Sequence, residues 1–182
     1  HLFLQQHRLS WSLEKLASLS VINPMVEGAI VTAGNSSGLN DAAAAMVLCS
    51  REFAASHGLT PLAVIRSWTS VADTVERNGL APTLAIPKAL KLAGIGLGDV
   101  GAVEINEAFA SMAVASSREL GLDHEITNQV GSGCSLGHPI ACTGARMIVT
   151  MAHQLARTDT QWGVAAMCAA GGMGAATVLE RV

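Results

Sequence analysis

The chain is 182 residues long with a formal net charge of −3, so it amounts to about one domain and has no basic field of the kind that holds nucleic acid. Half of it is hydrophobic and only 14% is charged, against about 25% in a typical soluble domain, which predicts a large surface set against something else, unless it is simply an Ala-rich α/β core. No apolar run approaches the ~18 residues of a membrane span, and four cysteines without a Cys-x-x-Cys pair point to a reducing compartment, read as the cytoplasm, rather than to a disulfide framework.

The opening stretch His1-Leu2-Phe3-Leu4-Gln5-Gln6-His7-Arg8 lacks the basic start, apolar region and cleavage site of a signal peptide. It also lacks an initiating Met, and the expectation is that the chain begins inside a longer one. Ser10 followed by Leu13, Leu16 and Ala17 predicts a short helix over 10–19, and Asn23-Pro24 with Gly28 a connector over 20–28. Residues 30–33 read as a strand entering the loop Gly34-Asn35-Ser36-Ser37-Gly38. That loop suits either a polar ligand or a turn whose Ser and Asn cap each other. The small apolar run 41–50, ending Met46-Val47-Leu48-Cys49, reads as a buried strand.

A helix over 51–57, stopped by Gly58, precedes a strand over 62–71 and a loop over 73–80. Ala81-Pro82-Thr83 opens a helix with Ile86, Leu90 and Ala93 on one face, ended by Gly94 and Gly96. Residues 101–105 form a strand that breaks into Asn106-Glu107, where a helix carrying Phe109, Met112, Ala113 and Ser116 starts. Three glycines and two serines between Gly131 and Pro139 argue against a strand or helix interior there. After Pro139, the positions Ile140, Gly144, Met147, Ile148, Met151 and Leu155 trace an amphipathic helix, with His138 at its mouth. A strand over 162–167 exits through Cys168-Ala169-Ala170-Gly171-Gly172-Met173-Gly174 and returns as a last strand over 175–181.

Alternating strands and helices predict an α/β layer fold with helices on both sides of the sheet. Asn106, His138 and Cys168 then fall just past a strand or at a helix mouth, where ligand sites in such sheets gather. A Cys on a glycine turn is flanked by N–H groups that lower its pKa, an imidazole can share its proton, and an amide can hold a water or an ionised oxygen. This set suits thioester or carbonyl chemistry with enolate character. Metal binding by Cys134, His138 and Cys142, spaced four apart, is disfavoured because turn residues separate them and a fourth ligand is lacking. A nucleotide loop is absent: there is no G-x-x-x-x-G-K-[ST], and Gly171-Gly172-Met173-Gly174 does not complete G-x-G-x-x-G.

Asn106-Glu107-Ala108-Phe109-Ala110 resembles the N-E-A-F-A motif of the thiolases. Gly137-His138-Pro139 with Thr143-Gly144-Ala145-Arg146 resembles their G-H-P-x-G-x-(S/T)-G-A-R segment, and Cys168 with its glycines their C-x-G-G-G turn. Residues 32–41, Thr-Ala-Gly-Asn-Ser-Ser-Gly-Leu-Asn-Asp, are similar to their T-A-G-N-(A/S)-S-G-x-N-D stretch. The resemblance covers nearly all of this chain but only about the second half of a thiolase. It implies a thiolase-like layered fold with a mixed sheet. Residues 1–40 would be the end of the CoA-binding loop domain with a connector, and 41–182 the C-terminal domain.

The resemblance further implies acyl transfer between CoA and 3-ketoacyl-CoA, by thiolysis or Claisen condensation, as in fatty acid β-oxidation. CoA thioesters would be substrates, with no resident cofactor or metal, and the family's members are homo-oligomers. The position matching Cys168 moves the α-proton of the second acyl-CoA. The one matching His138 activates the nucleophile and helps form the oxyanion hole, with a water held by the one matching Asn106. Ser37 matches a residue along the pantetheine arm, Phe109 one lining the site, and Ala170 and Gly171 the oxyanion-facing turn.

The acyl-accepting Cys has no counterpart among Cys49, Cys134 and Cys142, so an N-terminal half or a partner chain is expected to supply it. Val130 replaces the usual Asn, Ala170 replaces the first Gly of the Cys turn, and Met25 stands where an aromatic is common. Related ketoacyl synthases usually carry a second His where Asn106 stands and lack the Cys turn. The other expectations are a non-catalytic CoA-binding module and an inactive truncated fragment.

Overall fold

A computed structural model describes residues 12–182. In chain order its elements are α1 (Leu13–Ala17), α2 (Arg51–Ser56), β1 (Ala63–Ala72), α3 (Ala81–Ala93), β2 (Ala102–Ile105), α4 (Ala110–Leu120), the single turn α5 (Gly133–Leu136), α6 (Thr143–Thr158), β3 (Trp162–Ala169) and β4 (Met173–Arg181). The strands form one mixed sheet in the order β1-β4-β3-β2. β1 and β3 both pair antiparallel with β4, whereas β2 runs parallel to β3.

Alternation along the strands divides two cores between the two faces. Val103, Ile105, Val164, Ala166, Ala176 and Val178 face α3, whose Ala85, Ile86, Ala89 and Leu90 are all buried. Ala102 and Leu179 face α6, which presents Met151, Ala152 and Leu155. Each long apolar side chain so buried contributes about 1.5–3 kcal/mol. Helices therefore cover both faces, as an α/β layer fold requires. The periodicity at Met147, Met151 and Leu155 marks the buried stripe of α6, and all three are at most 1% exposed. α3 ends where Gly94 takes a left-handed conformation (φ 77°), as its position after the apolar stripe predicts.

Several expectations change. The strand expected over 30–33 is reduced to one isolated bridge, Val21 to Thr32, followed by a 3-10 turn over Ala33–Asn35. The buried strand expected within 41–50 is chain without regular secondary structure and outside any ladder, with Val47 87% and Leu48 69% exposed. Its composition is that of a core strand, but no second layer lies over it among the described residues. The loop 73–80 contains a 3-10 turn, Val75–Leu80. The glycine-rich stretch does hold one helical turn, α5, and α6 begins at Thr143 rather than at Pro139, which leaves Ile140 73% exposed. The Ser10 start of the first helix lies outside the described residues.

Candidate active site

β2 ends at Ile105, and the next residue is still in the ladder: the Asn106 N–H donates to the Ala166 carbonyl at 2.9 Å. Asn106 is 1% exposed, so its side chain is buried. Its Nδ2 lies 3.4 Å from Nδ1 and 3.5 Å from Nε2 of His138. The close approach depends on Gly133. A β-carbon there would sit 2.5 Å from the Glu107 carbonyl oxygen and 3.0 Å from Asn106 Oδ1, so only glycine lets α5 pass. Glu107 ties the same corner together. Its carboxylate accepts from Asn128 Nδ2 at 3.0 Å and from the Cys134 N–H at 3.1 Å.

His138 is held at both ends. Its backbone N–H donates to Asn40 Oδ1 at 3.0 Å, and its Nδ1 lies 2.7 Å from Thr143 Oγ1. Partial burial and the positive charge of Arg146 push the imidazole below its ordinary value. Behind it lies a buried ion pair. Glu104, 2% exposed, accepts through Oε1 from Arg146 Nη1 and from Ser132 Oγ at 2.9 Å. Burial raises the Glu104 carboxyl even though both partners pull it down.

The loop after Thr32 is largely committed to its own turn. Thr32 Oγ1 accepts from the Gly34 N–H at 3.2 Å, and Asn35 Oδ1 accepts from the Thr32 N–H at 2.7 Å. From that rigid turn the chain crosses to the Asn106 corner. The Ser37 N–H donates to the Ala108 carbonyl at 2.9 Å, Ser36 bridges Phe109, and Leu39 bridges His138. Ser37 is thus brought against the Phe109 segment. Phe109 is the extended N-cap of α4 rather than part of its first turn. A cleft of about 350 Å³ opens beside the imidazole, lined by Leu39, Asn40, Asp41, His138 and Ile140.

Cys168 lies inside β3 near its end, paired with Gly174 across the hairpin, rather than on the turn itself. Burial pushes its thiol above the ordinary value, and its own backbone N–H only partly opposes this. A lowered pKa was the expectation. The glycines that would supply further N–H groups lie beyond the sulfur's strand position. Cys168 lies two positions beyond Ala166, the acceptor of the Asn106 N–H, so Cys168 and Asn106 lie at neighbouring strand ends. Among the described residues, no hydrogen bond joins the Cys168 side chain to His138 or Asn106, and Cys168 does not line the cleft.

Ala170 and Gly171 form the exposed tip of the hairpin; Gly171 has φ 93°, while Ala170 avoids positive φ. Gly172 secures this tip. Its carbonyl accepts from the Asp73 N–H at 2.7 Å, and its N–H donates to Asn78 Oδ1 at 2.9 Å. No group of three or more His, Cys, Asp or Glu capable of holding a metal occurs among the described residues.

Sequence reasoning passed over Asn40, Thr143 and the Glu104–Arg146–Ser132 cluster as working parts. Thr143 and Arg146 are three apart and so share a helix face, which was a usable signal. Glu104, one acid within an otherwise apolar strand, was another.

The family model described as "Thiolase, C-terminal domain" matches residues 59–181. The chain is 48% identical over 164 residues to a 3-ketoacyl-CoA thiolase of Bacillus subtilis, covering 89% of this chain and 42% of that protein. It is 43% identical over 166 residues to an acetyl-CoA acetyltransferase of Escherichia coli, covering 91% of this chain and again 42% of the relative. Among solved structures, the Bacillus anthracis acetyl-CoA acetyltransferase superposes with a TM-score of 0.90 at 43% identity, over 94% of this chain and 43% of that one. Human mitochondrial 3-ketoacyl-CoA thiolase gives a TM-score of 0.86 at 34% identity, over the same shares. This chain therefore spans a little over two fifths of the length of these relatives.

Proposed function

This chain belongs to the thiolase family, and from that premise we propose that it supplies the acid–base and oxyanion-binding half of acyl transfer between CoA and 3-ketoacyl-CoA. The observation that carries this reading is the Asn106 amide within 3.5 Å of the His138 ring, beside an open cleft of about 350 Å³. His138, neutral at pH 7 because its pKa is pushed down, can take a proton from an attacking thiol at Nε2. Protonated there, it donates to the oxygen of an enolate, as does a water held by Asn106.

Cys168, protonated at rest because burial raises its pKa, returns a proton to the α-carbon of the enolate left when the Cα–Cβ bond breaks. In the condensing direction its thiolate removes that proton. Ser37 would lie along the pantetheine arm, Phe109 would line the site, and the N–H groups of Ala170 and Gly171 would face the acyl oxygen.

The acyl group needs a nucleophile, which we place in an N-terminal half or a partner chain. The share of the relatives' length that this chain spans supports that reading, as do the apolar, uncovered residues 41–50. We take residues 1–40 as the end of a CoA-binding loop domain and 41–182 as the C-terminal domain. No helix among the described residues is long and apolar enough to cross a membrane. The cytoplasm is our proposed compartment, although a matching relative from Arabidopsis thaliana is peroxisomal.

The test is thiolysis of acetoacetyl-CoA by the longest reading frame that contains this chain, with Cys168→Ala alongside. A loss of at least a hundredfold in the variant is expected, and wild-type rates would remove Cys168 from the mechanism. Calorimetric titration with CoA separates the other reading, because binding without turnover would mark a non-catalytic CoA-binding module.

A further inference from the structure

The imidazole of His138 has two nitrogens, and only one has a partner placed for it. Asn106 Nδ2 is nearly equidistant from both, at 3.4 and 3.5 Å, so it is aimed along neither lone pair and cannot choose between the tautomers. Thr143 Oγ1, at 2.7 Å from Nδ1, can. The same oxygen lies 3.2 Å from the carbonyl of Pro139. Thr143 is 0% exposed, so its hydroxyl has no bulk solvent to turn to. The hydroxyl carries one proton and so has two settings. It donates to Pro139 and accepts from a protonated Nδ1, or it donates to a bare Nδ1.

We propose that Thr143 is a positioning residue whose hydroxyl turns between the Pro139 carbonyl and His138 Nδ1, keeping Nδ1 satisfied while Nε2 either accepts or donates a proton. In the first setting Nε2 is bare and can act as a base, and the imidazolium that results still has an acceptor at Nδ1. In the second, Nε2 carries the proton and donates. A backbone carbonyl or a carboxylate at Nδ1 would permit only the first setting, and an N–H donor only the second. Thr143 lies one helical turn from Arg146, so the helix that sets the ring's partner also sets its electrostatic surroundings. The charged groups around the ring are Arg146 on α6, whose charge acts on the imidazole and which is paired with Glu104 on β2, and Asp41, which lines the same cleft. None is altered by a change at Thr143.

The test does not depend on the acyl-transfer reading, because it reads the ring itself. In the 182-residue chain labelled with 15N-histidine, the His138 signals are assigned by their loss in His138→Gln and followed through a pH titration. Wild type is expected to show intermediate shifts at both nitrogens when neutral, the mark of two populated tautomers. Thr143→Val, which keeps the shape and removes the hydroxyl, is expected to reduce the Nδ1–H tautomer roughly tenfold and to lower the ring's pKa by about one unit. Thr143→Ser should restore both. A valine variant with the wild-type tautomer balance and titration overturns the proposal, as does a folded serine variant that fails to restore them. Should the valine variant not fold, wild type still decides: a ring frozen as one tautomer throughout its neutral range overturns the proposal.

Discussion

Residues 12–50 and 59–182 have similar apolar content locally and very different fates. In the second region apolar side chains meet across a sheet, and two cores form on its two faces. In the first, α1 buries nothing, and Leu13, Met25 and Val47 are 81%, 91% and 87% exposed. What fastens the first region to the second is concentrated at the candidate site: Ser37 on Ala108, Ser36 beside Phe109, and Asn40 and Leu39 on the His138 strand of chain. The contrast teaches that the loop 36–40 is fastened to the candidate site, whereas 41–50 has the composition of a core segment and lies exposed among the described residues. Exposed apolar residues in that number mark a surface meant to be covered.

The largest effect should come from inside the second region. Arg146→Met leaves the Glu104 carboxylate buried without its cation, and such a break costs about 3–5 kcal/mol in a denaturant titration. The same variant should raise the pKa of His138, because the Arg146 charge helps to depress it. A loss under 1 kcal/mol would mean that water reaches Glu104 and that the cluster is not structural.

Gly133→Ala should follow, at about 1–3 kcal/mol, because the added carbon meets backbone at the Glu107 carbonyl rather than a side chain that could move. Asn40→Ala tests the fastening itself. Losing the acceptor for the His138 N–H should cost about 1 kcal/mol and speed amide exchange at His138 and through 36–40, while the sheet stays protected.

Acidification acts on the same corner. The folded pKa of His138 lies below 6.5, so the unfolded chain binds the extra proton first. Its contribution is whole above that value and is lost as pH falls through it toward the folded pKa. Glu104 has the opposite sign: its raised pKa means that the folded chain gains relative stability as pH falls toward and below the folded value. Chemical denaturation of wild type and Glu104→Gln between pH 7 and 4 separates the two.

The sheet, its helices and the residues that converge were legible because periodicity reports one-sided burial, and burial here is local to the chain. Met147, Met151 and Leu155 on α6, and Gly94 at the end of α3, needed nothing beyond the chain to be placed. Residues 46–49 misled for the opposite reason. Their apolar pattern is that of a core strand, yet among the described residues nothing packs over Val47 and Leu48, so a core-like run is exposed. His138 and Asn106 stood out by type and by motif, but what holds them did not. Thr143 and Asn40 act through contacts 5 and 98 residues apart along the chain, and no spacing rule reaches the second. The Cys168 thiol was expected on the turn with its pKa lowered. Two more strand residues on each side of the hairpin bury it instead.

Thiol chemistry sharpens the contrast without perturbing the fold. Cys49 is exposed in the segment 41–50, Cys168 is half-buried with a raised pKa, and Cys142 is buried. Alkylation read by peptide mass at pH 8 should modify Cys49 first and Cys168 at least tenfold more slowly, because only the thiolate reacts and access is limited. Equal rates would place Cys168 in open solvent and would undo the argument for its resting proton.

The smallest stability effect belongs to the segment whose sequence looks most like a core. Val47→Ser and Leu48→Ser remove apolar surface that is already in water, so thermal unfolding should move by no more than about 0.5 kcal/mol. Self-association in sedimentation should fall at the same time, since that surface is what another chain would cover. A loss of 2 kcal/mol or more would show that 41–50 is packed in the isolated chain after all. The two regions would then differ only in secondary structure and not in whether their burial is complete.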